Sequence, residues 1–433
     1  MAHVALVCMS GFRVREREMI ALGMSLPGLG ARGAAIGALP GLGLLTLAGM
    51  TPGDWSVSYH EAPLVDEGLV DEVVASRPTL VAISALTASV NEAYDLARRL
   101  RGEGIRTVIG GLHVTACPEE AVHHADAVVI GEGEPVWLDV LRDAERGMLR
   151  RFYRGGAPWD LRESAMPRFE LLGEKERPRF TVQTARGCPL ACEFCGASRL
   201  LGPFREKPAP RVGEELAAIK RLARHPTIEL ADDNTFAGKR GAAELLGEFE
   251  RAGVRYFTEC DWRIGERPEV LEGLAASGCV QVLIGMESMV GSPKGMGAKA
   301  ASHARMMDAA ARIQEAGVAV IGCYIAGCDG ETMETMHALG EMLIGSPLAD
   351  VQLTLQTPFP GTGLHEKLKR EGRLLPDRGW ESYTLFDVTF RPDRLSAAEL
   401  QSGFHSLVKY VFAEGPARRR METRQQIWAK RYR

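Results

Sequence analysis

Arg186 to Gly196 reads "RGCPLACEFCG", and it places three of the chain's nine cysteines, Cys188, Cys192 and Cys195, within eight positions. The spacing is three residues, then two, just after the apolar run "RFTVQTA". Three thiolates on a tight loop can hold three irons of a four-iron, four-sulfur cluster, and the lack of a fourth nearby cysteine leaves one iron open. Zinc is the competing assignment, but a structural zinc site closes with four ligands and no second Cys or His pair stands at the usual spacing. The other six cysteines, Cys8, Cys117, Cys260, Cys279, Cys323 and Cys328, are scattered and form no second cluster motif.

Downstream of this loop, apolar runs alternate with helical stretches. "RFTVQTA", "TIELADDN", "VRYFTECDW", "CVQVLIGMES", "VAVIGCYIAG" and "DVQLTLQTPF" predict six strands, and six strand-then-helix repeats predict a partial (β/α)6 barrel with its site at the carboxyl ends of the strands. Gln183, Asp232, Asp233, Asp261, Arg263, Glu287, Ser288 and Gln352 all fall near predicted strand ends, so they are candidates to converge on one mouth. Asp232 and Asp233 have a second role open to them in a turn or helix cap. Glu287 has one as the ion-pair partner of a nearby Arg, and Arg263 one in balancing Asp261 and Glu287.

Upstream, "HVALVCM", "WSVSYHE", "LVAISAL", "IRTVIGG" and "DAVVIGE" alternate with amphipathic stretches such as "ASVNEAYDLARRLR". That pattern predicts an α/β, doubly wound parallel sheet covered on both faces, Rossmann-like, with ligands beyond the carboxyl ends of its strands. Gly110, Gly111, Gly131 and Gly133 fall at those ends. The Gly-rich stretch from Gly23 to Gly49 is expected to be a long loop crossing the face of the sheet, with short helices as an alternative within it. The domains expected are 1–150, a linker 151–178, a barrel 179–375 and a helical C-terminal region 376–433. In the last, "LSAAELQSGFHSLVKYVFAE" predicts a helix with Ser396 and Glu399 in a capping box. The basic run "ARRRMETRQQIWAKRYR" fits a solvated terminal helix, or one that meets an acidic substrate, a membrane surface or nucleic acid.

Bulk properties agree with two or three ordinary globular units: 433 residues, 45% hydrophobic and 25% charged. A net charge of −4 gives no support for nucleic-acid binding. No transmembrane segment is expected, and "MAHVALVCMSG" predicts a first strand rather than a signal peptide. With an odd, locally clustered set of cysteines, a cytoplasmic, reducing location is expected.

"CPLACEFC", with Phe194 before the last cysteine, resembles the signature of the radical SAM superfamily. "LADDNTF", "IGMES", "GCYIAGCDGET" and "QTPFPGT" resemble its downstream strand ends, in the same order. "ALTASVNEAYDLARRLR", "VIGGLHVTACPEEAV" and "ADAVVIGEGE" resemble the cobalamin-binding domain that precedes the barrel in one large branch. The resemblance implies three cofactors: a 4Fe-4S cluster on Cys188, Cys192 and Cys195, S-adenosyl-L-methionine on its open iron, and cobalamin. Phe194, Gly196, Asp233, Arg263, Glu287, Ser288 and Gln352 would then line the S-adenosylmethionine site. Cobalamin would meet Leu86, Thr87 and Ser89, the glycine pair Gly110 and Gly111 with His113, and the "GEGE" run of Gly131, Glu132, Gly133 and Glu134. Thr87 and Ser89 have helix capping as their alternative, and His113 an ordinary polar role in its loop.

One departure bears on cobalt. Carriers that donate a His to the metal have an Asp, any residue, His, two residues, Gly pattern after the first strand, and "SGFRVREREM" has neither that Asp nor that His. Cobalt is therefore expected without a protein imidazole. The resemblance implies methylation of an unactivated carbon of a small-molecule substrate, through a deoxyadenosyl radical and methylcobalamin, with electrons from a flavodoxin- or ferredoxin-type donor. A non-methylating cyclisation, ring contraction or oxidation uses the same motifs. A transfer-RNA methylthiotransferase would need three more cysteines upstream, where only Cys8 and Cys117 stand, and a non-catalytic corrinoid carrier leaves the cysteine triplet unexplained.

Overall fold

The structure, a computed structural model, describes residues 1–10, 14–26, 39–173, 179–238, 241–291 and 294–430. The first sheet contains β1 (Ala2–Met9), β2 (Trp55–Ala62), β3 (Leu80–Ala85), β4 (Thr107–Gly110), β5 (Ala127–Ile130) and β6 (Phe152–Arg154). They are parallel, in the order β2-β1-β3-β4-β5-β6. Alternation along β1 divides its side chains between two cores. Ala5 and Val7 face a layer that includes Val73, Val90 and Leu96, whereas Val4 and Leu6 face one that includes Leu44, Trp137 and Leu141. Helices Glu67–Ala75 and Val90–Gly102 thus cover one face, and Leu42–Met50 and Trp137–Glu145 the other. The order reverses at β1, so the crevice for a ligand opens at the carboxyl ends beside β3.

The expected loop from Gly23 to Gly49 is partly helical: Arg17–Ser25 and Leu42–Met50 are helices, and 27–38 lie outside the described residues. Leu42–Met50 buries Leu44, Leu45 and Ala48, which makes it a covering layer of the sheet. β6 was not anticipated; it adds a sixth strand from within the expected linker.

The second sheet is built from β7 (Arg179–Val182), β10 (Thr227–Leu230), β11 (Arg255–Cys260), β12 (Cys279–Glu287), β13 (Ala319–Ala326) and β14 (Asp350–Leu355). Between β7 and β10 lies a two-stranded antiparallel ribbon of β8 (Ala185–Arg186) and β9 (Arg205–Glu206). The six-stranded order is β14-β13-β12-β11-β10-β7, all parallel, and among the described residues β14 does not pair with β7. This is the partial barrel expected. Apolar positions at every other residue, such as Val282, Ile284 and Met286, pack outward on helices that include Pro268–Ala276 and His303–Glu315.

Helix Ala397–Val411 has the predicted capping box between Ser396 and Glu399. It reaches back to the start of the chain, where His405 lies 3.0 Å from both Glu16 Oε2 and Glu18 Oε2. The basic run forms helix Glu414–Ala429 and is not a free solvated helix. It lies across the amino ends of the barrel strands, with Arg424 on Asp350 (2.5 Å), Trp428 Nε1 donating to Val280 O (2.8 Å) and Ile427 packed on Ala319 and Ala349. Arg420 and Arg424 both lie against Asp350 on the barrel floor, while Arg418, Arg419 and Lys430 are exposed. Among the described residues no helix is long and apolar enough to cross a membrane.

Candidate active site

β7 ends at Val182, and the chain must turn sharply to enter the cysteine loop. Asp232, fully buried at the end of β10, makes that turn: it accepts from Thr184 N (2.7 Å) and Ala185 N (3.0 Å), and also from the Thr184 and Thr235 hydroxyls. Of the two neighbouring acids it is therefore the structural one. The loop itself is clamped from two sides. Ala191 N and Glu193 N donate to Gly295 O and Lys294 O, and Leu364 N donates to Glu193 O. Gly295 has φ 83°, and a Cβ there would lie 1.9 Å from Ala191 O, so only glycine permits the contact.

Cys192 is buried, and Cys188 and Cys195 are partly open. Burial pushes the Cys188 thiol up and that of Cys192 to about 11, and the three sulfurs lie close enough to repel one another as thiolates. Yet among the described residues no three Cys, His, Asp or Glu side chains converge tightly enough for a single ion. Three thiols sharing one electrostatic neighbourhood suit a polynuclear cluster, whose irons spread their ligands. The donor set fits the cluster: metal binding would displace the protons that burial retains.

Around this loop the strand ends supply a polar ring. Asn234 donates to Cys188 Sγ (3.6 Å) and to Asp261 Oδ2 (3.2 Å), and it accepts from Asp261 N (3.0 Å). Arg263 grips Asp261 with two bonds of 2.8 and 2.6 Å, so the two neutralise each other at the mouth. Despite burial, that guanidinium holds the Asp261 carboxyl below its usual range. Asp233 is different. Its buried Oδ2 has no hydrogen-bond partner among the described residues, and burial, with Asp232 beside it, pushes its carboxyl up to about 6. An orphaned acceptor beside the cysteine loop suits the ammonium of a ligand on an open iron.

Glu287 ends β12 at a β-bulge with φ 65°, unusual for a non-glycine residue. Its ion-pair partner is Lys299, not Arg263. Gly285 makes room: a Cβ there would stand 2.3 Å from Glu287 Oε1 and 2.6 Å from Lys299 Nζ. Burial works against the Lys299 charge, but Glu287 holds its pKa above the ordinary value. Ser288 accepts from Val290 N at 3.2 Å. Phe194 packs partly against the barrel core, and Gly196, with open space at its α carbon, starts helix Ala197–Leu200. Gln352 sits in the middle of β14, opposite Cys323, and so lies below the mouth. The glutamine at the carboxyl end is Gln356, on Cys328 Sγ at 3.4 Å.

Across from the loop stand the carboxyl ends of the first sheet. Leu86, after β3, is 65% exposed, unusual for a leucine between buried Ala85 and Thr87. Gly111 has φ 115° and lies so close to β3 that a Cβ would meet Ala85 O at 2.8 Å. Gly131 has φ 81° and open space around it, and its N–H donates to Thr115 Oγ1. A bare apolar residue above glycines without side-chain bulk is a surface on which a flat macrocycle fits. Ser89 precedes helix Val90–Gly102 without a side-chain capping bond, and Thr87 Oγ1 meets His113 Nδ1 at 3.3 Å. His113 is fully buried, edge-on to Trp380 and 3.5 Å from Glu120, so its imidazole is not presented to that surface.

Glu132 and Glu134 depart from expectation. Their carboxylates are taken by the barrel: Arg186 bonds to both, and Arg205 bonds to Glu132 at 2.9 Å. Two charged acids beside two arginines find their partners there, so both carboxylates are engaged within the protein. Lys299 and Glu259 were missed altogether. Glu259 stands inside the curve of β11, surrounded by protein yet accessible to solvent within it; burial, then Asp233 and Glu229, push its carboxyl to about 7.

Comparison with known proteins follows the same division. A B12 binding domain model matches residues 31–141 and a radical SAM superfamily model matches residues 182–343. The bacteriochlorophyllide d C-12(1)-methyltransferase of Chlorobaculum tepidum is 26% identical over 86% of this chain and 83% of its own length. The hopanoid C-2 methylase of Rhodopseudomonas palustris is 25% identical over 79% and 67%, and an anaerobic magnesium-protoporphyrin IX monomethyl ester cyclase of Cereibacter sphaeroides is 23% identical over 78% and 60%. In fold, the radical methyltransferase TsrM from Kitasatospora setae superposes with TM-score 0.70 at 16% identity, covering 100% of this chain and 99% of that one. The cobalamin-dependent enzyme OxsB gives 0.71 at 12% identity, covering 93% of this chain, which spans 66% of OxsB's length. With a B12 binding domain and a radical SAM barrel in that order on one frame, this chain belongs to the cobalamin-binding branch of the radical SAM superfamily.

Proposed function

We propose that the chain is a cobalamin-dependent radical SAM C-methyltransferase acting on an unactivated carbon of a small natural-product or lipid-like molecule. One observation carries this: helix Ala197–Leu200, which follows the cysteine loop, packs on Leu112–Ala116, which follows the glycine pair of the first sheet. The elements that follow the two proposed cofactor sites therefore adjoin, and proximity is what a two-cofactor transfer requires. When bound, the cluster with S-adenosylmethionine supplies a hydrogen-abstracting radical, and cobalamin supplies a transferable methyl group.

The chain's own residues hold and orient. Cys188, Cys192 and Cys195 ligate the irons, and Asp233 accepts from the ammonium of S-adenosylmethionine. Phe194 offers a flat face to its adenine, and Gly196 and Ser288 leave it room. Leu86 and the backbone at Gly110, Gly111, Gly131 and Gly133 support the corrin. An electron donor of flavodoxin or ferredoxin type completes the reaction. The likeness to a cyclase keeps oxidative cyclisation as the second reading. Anaerobic turnover of the reconstituted holoenzyme on a small-molecule extract of its host, with S-adenosylmethionine deuterated in its methyl group, tests the first. A product with the labelled methyl on carbon is expected; turnover that yields a new ring and no label would establish the second.

A further inference from the structure

We propose that Arg186 is a positioning residue that transmits occupancy of the cobalamin domain to the cysteine loop. This rests on the functional reading above, since it takes the first sheet's carboxyl face as the corrin site. Arg186 is the last residue of β8, two positions before Cys188. Its guanidinium bonds to Glu132, to Glu134 at 2.7 Å and to Gln183 at 3.0 Å. Its cross-ribbon partner, Arg205, takes Glu132 at 2.9 Å and the Trp159 carbonyl at 2.9 Å. All four charged side chains are nearly enclosed, at 14% exposure for Arg186, 8% for Glu134, 13% for Glu132 and 16% for Arg205.

The cysteine-loop end of this link is tightly packed. Gly187, between Arg186 and Cys188, has φ 77° and sits so close to Gly202 that a Cβ would meet its carbonyl oxygen at 2.8 Å. At the other end Glu132 and Glu134 bracket Gly133 and follow Gly131, the backbone that faces the corrin. A displacement of the "GEGE" turn that draws Arg186 with it therefore reaches Cys188 through one closely packed residue, Gly187. A buried charge network also resists being pulled apart, because separation leaves each charge desolvated without its partner. Only a planar fork reaches both carboxylates and the amide at once; an ammonium does not.

Coupling of this kind is reciprocal and is read as a difference between states. Hydrogen–deuterium exchange of the full, cluster-reconstituted chain is measured anaerobically with and without hydroxocobalamin. In the wild type hydroxocobalamin should slow exchange both in 127–136 and in 183–196, and it should tighten S-adenosylmethionine binding by about 5-fold or more. Arg186→Gln should keep the slowing in 127–136 and lose both other effects; Arg186→Lys, which preserves charge if the first variant folds poorly, should lose most of them. A cysteine loop that hydroxocobalamin protects equally in the wild type and in Arg186→Lys overturns the proposal, as does a wild type that binds hydroxocobalamin without protecting 183–196. Wild-type protein that binds no hydroxocobalamin overturns the functional reading itself.

Discussion

Glu287→Gln is the most informative single change at the mouth, because the resemblance and the structure give this carboxylate different work. In the S-adenosylmethionine site that the resemblance implies, its carboxylate would accept from the ribose hydroxyls and so act only when that ligand is present. As the partner of Lys299 it acts in every state, with side chains only 8% and 13% exposed. Removing one member of such a pair leaves an uncompensated buried charge, which costs about 3–5 kcal/mol. Gln still offers a carbonyl to the ammonium, so the lower end, about 3 kcal/mol, is expected. At roughly 2 °C per kcal/mol for a large domain, Tm should fall by about 6 °C without any cofactor. Lys299→Met should recover much of that loss when combined with it. Gly285→Ala provides a second perturbation that changes no charge: its Cβ enters the space held by both ionic groups, so it should lower Tm similarly. The assay is thermal unfolding of the reconstituted chain beside titration with S-adenosylmethionine. An unchanged Tm, with affinity weakened by about 1–2 kcal/mol, would refute the ion-pair argument and return Glu287 to the ribose.

Changing Cys188, Cys192 and Cys195 together to Ala should abolish the cluster's visible absorbance and reductive cleavage of S-adenosylmethionine; a triple variant that keeps either sinks the ligand assignment. Electron spin resonance of the cobalt(II) form should show no nitrogen splitting from the protein, because His113 is enclosed beneath Trp380, and an imidazole triplet would contradict this. Glu259 provides a test by pH. Its folded pKa of about 7 lies above the ordinary 4.5, so its contribution favours the fold fully below about 4.5 and is lost as pH rises through 7. Glu259→Gln should therefore gain stability relative to wild type in urea titrations at about pH 8 but not at pH 4.5, and identical differences at both would disprove it.

Regular burial made most of the frame legible. Runs such as "VALVC" and "VQVLIGM" lie under helices on one or both faces, and a strand covered that way must be apolar along its length. The capping box at Ser396 announced its helix because two side chains at fixed spacing satisfy two orphan amides. β6 escaped because "FYR" is three residues long and ends in a charge, too short for a period to show. Lys299 lies in "GMGAKAAS", a stretch of turns in which no periodicity marks one lysine as buried. Glu132 and Glu134 were assigned to a ligand because sequence does not reveal which distant arginines face a loop. Gln352 and Gln356 lie four apart on one segment, and only the strand's observed end tells which reaches the mouth.

The pairing of His405 with Glu16 and Glu18 has a consequence for how the molecule is made. His405 and Glu18 are 387 positions apart, so the first helix finds its seat only after almost the whole chain has been synthesised. At roughly 5–20 residues per second that wait lasts on the order of tens of seconds, long after the first sheet has its own strands in hand. Through that interval the apolar side of Arg17–Ser25, with Met19 and Leu22, stays uncovered on the nascent protein. Assembly of this chain therefore ends where it began, with helix Ala397–Val411 closing over helix Arg17–Ser25.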